Sequence, residues 1–88
     1  MKAIVTVVGK DRIGIIANVC SLLAHYPVNI LDISQTLMQE YFAMIMLADI
    51  DSLTVEFSEF VDELDALGKA NDLVIHTMHE DIFNTMHH

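Results

Sequence analysis

The chain of 88 residues is poor in basic side chains. It has four Lys and Arg residues against thirteen Asp and Glu residues, which gives a formal net charge of −9 at pH 7. A surface with this charge repels the phosphate backbone of a nucleic acid and the headgroups of an anionic membrane. We therefore expect neither nucleic acid nor a membrane surface among its partners.

Cysteine and long apolar runs are also scarce. Cys20 is the single cysteine, so no disulfide can form within the chain, which fits a reducing compartment. The apolar start MKAIVTVVG is followed by three charged residues, 10–12, before a signal peptide or a membrane span could form. These observations predict a cytoplasmic protein with no membrane segment.

One proline and three glycines leave no stretch typical of a linker, and no repeat or low-complexity segment is present. The length predicts one domain over residues 1–88. Apolar residues make up 53% of the chain, which is more than a domain of this size hides easily. Part of that surface is expected in a subunit interface, most simply that of a homodimer.

Hydrophobic periodicity divides the chain into six elements in the order β-α-β-β-α-β. Strands are predicted over residues 2–8, 28–38, 41–50 and 73–78, and helices over 13–25 and 54–68. Gly9 is expected to end the first strand and Gly68 the second helix. The second strand has mixed faces and is predicted at the sheet edge, whereas the third is apolar on both faces and is predicted to be central.

This order predicts an α+β, ferredoxin-like βαββαβ fold, in which a four-stranded antiparallel sheet carries both helices on one face. Residues 79–88 are predicted to form a short C-terminal tail, for which a helix with an apolar face at Ile82, Phe83 and Met86 is one interpretation. The terminal histidines, 87 and 88, have the composition of a tag remnant, so no function is assigned to them.

The loop that follows the first strand places three charged residues between Gly9 and Gly14. It is not a phosphate loop, because Ile15 and Ile16 stand where Lys and Ser or Thr are required. Backbone N–H groups at the start of a helix nevertheless collect partial positive charge, which suits a carboxylate. We interpret the loop as a candidate anion site.

Several side chains keep two interpretations open. Asp11 either caps the following helix or binds an ammonium group, and Arg12 is either solvated or clamps a carboxylate. Asn29 either serves a turn after Pro27 or contacts a ligand. Cys20 shares the apolar stripe of the first helix, so it is interpreted as a small buried hydrophobe and not as a nucleophile.

Residues 7–35, VVGKDRIGIIANVCSLLAHYPVNILDISQ, resemble the opening half of an ACT domain, especially of the glycine-cleavage regulator type. The later segments YFAMIML and HEDIFNTM resemble free-standing, uncharacterised ACT proteins of bacteria and archaea. The resemblance implies a regulatory module for small molecules, usually amino acids, held between the first loop of one subunit and the second strand of its neighbour. Carried over by position, it implies these ligand-binding residues: Gly9, Lys10, Asp11, Arg12, Ile13, Gly14, Ile15, Asn29 and Ile30.

We therefore expect a non-catalytic, homodimeric amino-acid-binding module without a cofactor or a metal. An acylphosphatase-like hydrolase that uses Arg12 as a phosphate clamp is the alternative on the same fold, and a ligand-free protein-interaction module is another. The histidines and acids near the C-terminus match no spacing of a structural zinc site. An unidentified protein partner remains an open alternative.

Overall fold

The computed structural model describes residues 1–10 and 15–81, with side chains described up to residue 10 and from residue 17 onward. Its elements follow the predicted order. They are β1 (Lys2–Lys10), α1 (Ile15–Ala24), β2 (Asn29–Met38), β3 (Tyr41–Asp49), α2 (Phe57–Ala70) and β4 (Val74–His79).

The four strands form one sheet in the order β2-β3-β1-β4, and every neighbouring pair is antiparallel. β2 therefore lies at an edge and β3 in the centre, as predicted. This architecture confirms the ferredoxin-like βαββαβ fold.

Strict alternation along the two central strands places one face of the sheet in the core. On β1 the residues Ala3, Val5 and Val7 are fully buried, while Ile4 and Thr6 between them are half-buried. The buried face contacts both helices, which contribute Val19 and Leu23 from α1, and Phe60 and Leu64 from α2. Because one continuous core joins both helices to this face, they lie on the same side of the sheet.

Two predicted ends were wrong, and in both cases glycine has another role. β1 does not stop at Gly9 but pairs through it to Lys10, and a Cβ atom on Gly9 would overlap the side chain of Leu73. α2 continues past Gly68 to Ala70, and Gly68 is buried. A Cβ atom on Gly68 would lie 2.9 Å from the carbonyl oxygen of Leu73, so glycine here permits close packing of α2 against the start of β4.

β4 ends at His79, one residue beyond the predicted strand, and residues 82–88 of the predicted tail lie outside the described residues. β2 is irregular near its start, where the pairing with β3 shifts between Ile30 and Asp32, as at a β-bulge. Its other end turns directly into β3 through a hairpin whose first loop residue, Gln39, has φ 56°.

Candidate functional site

The first half of the predicted site begins where β1 ends. Gly9 pairs with Phe42 on the face that contacts the helices, and Lys10 pairs with Tyr41 and is exposed on the other face. The side chain of Ile15 and all of residues 11–14 lie outside the described residues, although the backbone of Ile15 begins α1. The structure thus places the helix start directly after this loop.

The second half of the predicted site lies at the opposite end of the sheet. Asn29 is exposed and pairs with Asp49, which in turn pairs with Lys2 at the start of β1. Gly9 is seven residues further along β1, a separation of about 23 Å at ~3.3 Å per residue. In a single chain, the end of β1 at Gly9 therefore lies far from Asn29 and Ile30.

α1 and the start of β2 enclose a small apolar groove of about 210 Å³. Its lining consists of Cys20, Leu23, Ala24, Val28 and Ile30. Cys20 is exposed, so the prediction of a buried cysteine was wrong for the single chain. The buried stripe of α1 is narrower than predicted, because Val19 and Leu23 fill it and Cys20 lies one position further around the helix, in the groove.

A larger cleft of about 650 Å³ lies at the start of α2, and sequence patterns did not indicate it. The N-terminal ammonium of Met1 donates a hydrogen bond to the Asp51 carboxylate at its rim, and this bond raises the pKa of the amino group. Glu56 and Glu59 also line the cleft. The acidic lining opposes a carboxylate ligand here, whereas α1 has no acidic side chain in its first turn.

Other ionisable groups do not form a second site within the described ranges. His79 packs its ring against Phe57 at a centroid distance of 5.9 Å, and its Nδ1 accepts a hydrogen bond of 3.2 Å from the backbone N–H of Asp81. Across residues 1–10 and 15–81, no three His, Cys, Asp or Glu residues are grouped as metal ligands. In the same part of the chain, neither helix has the length and apolar character needed to cross a membrane.

The sequence model of the ACT domain family matches residues 2–78. A UPF0237 protein of Clostridium acetobutylicum is 56% identical over 86 residues, which are 98% of this chain and 97% of that protein. The structure of an ACT domain protein from Streptococcus pneumoniae matches with a TM-score of 0.83 and 41% identity, over 94% of this chain and 93% of that chain. A proposed glycine cleavage system transcriptional repressor matches with a TM-score of 0.73 and 25% identity, over 90% of this chain and 47% of that chain.

Proposed function

The chain belongs to the ACT domain family, and we propose that it is a non-catalytic regulatory module that binds an amino acid as a homodimer. The separation of the two halves of the site carries this proposal. The end of β1, from which the loop continues, and the start of β2 lie at opposite ends of one sheet, so a site built at both ends needs a second copy.

The exposed edge of β2 supports association through pairing between the β2 strands of two copies. Nine of the ten residues of β2 are exposed, and the strand contains neither Lys nor Pro to discourage pairing. Leu31, Ile33 and Leu37 are among its exposed large apolar side chains. Antiparallel pairing of two β2 strands would extend the sheet to eight strands and cover these residues.

This pairing would also bring the halves of the site together. If the two-fold axis passes through Ser34, in the middle of β2, the start of the strand at Asn29 in one copy lies beside its end at Met38 in the other. Met38 pairs with Tyr41, and Tyr41 pairs with Lys10, so this position is at the end of the sheet where β1 enters the loop. Ile30 faces the helices, as Gly9 does, so both copies present these residues on the same side.

The chemistry of a free amino acid matches what the assembled site would offer. Backbone N–H groups of residues 9–15 at the start of α1 would bind the carboxylate, and the side-chain oxygen of Asp11 or Asn29 would accept from the ammonium group. The apolar side chains of Ile13, Ile15 and Ile30 would then favour an apolar or small ligand. Lys10 and Arg12 complete the proposed set of ligand-binding residues.

A thermal-shift panel of the twenty amino acids tests this proposal. A ligand at 100 times its Kd stabilises the folded state by about 2.7 kcal/mol, which for a domain of this size raises Tm by roughly 11–22 °C. Asp11→Ala and Asn29→Ala should each reduce that shift, whereas Asp62→Ala, at an exposed position of α2, should not. A folded dimer that shows no shift with any amino acid at millimolar concentration would contradict the proposal.

A further inference from the structure

The face of the sheet that points away from the helices, here called the open face, carries several exposed apolar side chains. Its exposed members include Val8, Met38, Tyr41, Ile45 and Val74, with exposed fractions from 41% to 62%. They are neighbours in register, since Val8 pairs with Val74 on one side and with Ala43 on the other. Together they form a continuous surface across all four strands.

An antiparallel sheet with one face in water normally alternates apolar and polar side chains along each strand. The central strand β3 does not follow this pattern, because its open-face positions include Tyr41, Ala43, Ile45 and Leu47. Ile45 lies in the middle of the strand and is 49% exposed. The sequence of β3 therefore fits a strand that is covered on both faces.

The distribution of charge indicates what covers the open face. By strand register its lysines and carboxylates are Lys2, Lys10, Asp32 and Asp49, two of each sign. Because this face has no net charge with His76 neutral, the excess of −9 resides on the rest of the molecule. Two copies would repel each other through most of their surface but not through the open face.

We propose that the open face is a second interface between copies of this chain, with two sheets packed face to face. Lys10 lies at the end of the face near the β2–β3 hairpin, whereas Lys2, Asp32 and Asp49 lie toward the other end and give it one net negative charge. A two-fold axis running across the strands places the end with Lys10 in each copy over the end with the net negative charge in the other. The same axis brings Ile45 of both copies to the centre of the interface.

The size of the face suits a stable contact. A strand of nine residues is ~30 Å long and four strands are ~19 Å wide, so two copies bury on the order of 1,000 Å² or more in total. This contact leaves the outer edge of β2 free. Face-to-face packing is therefore compatible with β2 pairing, and the two interfaces together produce an assembly of four copies with D2 symmetry.

Ile45→Glu tests the second interface, with Ala66→Glu on the exposed surface of α2 as the matched control. Sedimentation equilibrium should show that Ile45→Glu halves the mass of the particle while Ala66→Glu leaves it unchanged. Val74→Glu, which places the same charge on β4, should also halve the mass. This variant replaces Ile45→Glu in the test if Ile45→Glu does not fold. An unchanged mass in a folded variant would overturn the proposal.

The experiment separates this proposal from that of the ligand site. Ile45→Glu should retain the thermal shift given by the amino acid, because the β2 pairs remain, whereas Ile33→Lys should lose it. If the copies do not pair through β2, the wild-type protein is a dimer through the open face and Ile45→Glu makes it a monomer. The halving is therefore expected whether or not the ligand proposal holds.

Discussion

The two edges of the sheet are built in different ways. β4 has six residues and lies beside α2, and Gly68 allows the helix backbone to approach Leu73 closely. β2 has ten residues, nine of them exposed, and carries exposed apolar side chains. Edge strands are usually protected by shortness, charge or a covering element. Here β4 is protected within the chain, whereas β2 is suited to protection by a second copy.

α2 shows how the protected side is stabilised. Phe60 and Leu64 are fully buried, and the ring of Tyr26 packs edge-on against Phe60 at a centroid distance of 5.3 Å. The opposite surface of α2 is acidic, and none of the exposed large apolar residues in the described ranges lies on it. The large apolar side chains of this helix are therefore covered within one chain, in contrast to those of β2.

The largest effect is expected from Phe60→Ala. Removing a fully buried aromatic side chain leaves a cavity, and such substitutions cost about 3–5 kcal/mol of unfolding free energy. Urea unfolding should show this loss at any protein concentration, because the contact lies within one chain. Leu37→Ala, at an exposed position of β2, is the matched change at the other edge. Its loss should shrink as the protein concentration is lowered and the dimers dissociate, because the contact exists only in the dimer, and an equal, concentration-independent loss would break the comparison.

The next effect is on association through β2. Ile33→Lys removes apolar area from the proposed interface and places two lysines close to the two-fold axis, so dimerisation through β2 should weaken at least ~100-fold. Ala66→Lys on α2 is the control for added charge. Analytical ultracentrifugation over a dilution series measures both variants, with circular dichroism to show that they fold. If Ile33→Lys associates as the wild-type protein does, the exposed edge of β2 is not the interface.

The elements, the edge position of β2 and the central position of β3 could be predicted because their signals are local. The apolar alternation of β1, the two-faced apolar pattern of β3 and the stripe of α2 each appear within a short window. Gly9, Gly68 and Cys20 were misjudged for the opposite reason. Their roles depend on Leu73 and on the start of β2, which are distant in sequence.

Only part of the candidate site could be predicted from the sequence. Sequence spacing marks Gly9 and Gly14 as the limits of a loop, but it does not show that Asn29 lies at the far end of the sheet from that loop. Strand register shows it, since Asn29 and Lys2 both pair with Asp49. A site that two copies build together has no signature in the spacing of one chain.

The smallest effect concerns the turns that lead out of β2 and into β4. Gln39 and Asp72 are the non-glycine residues with positive φ in the described ranges, at 56° and 57°. Gly lacks the Cβ atom that makes this conformation costly, so Gln39→Gly should stabilise the fold by about 0.5–1 kcal/mol. Asp72→Gly should gain less, because Asp tolerates the left-handed region better than Gln does. Urea unfolding of both variants measures the difference, and Gln39→Ala, which keeps a Cβ atom, should show no gain. A larger gain at Asp72 than at Gln39 would show that the β2–β3 turn is not the more strained of the two.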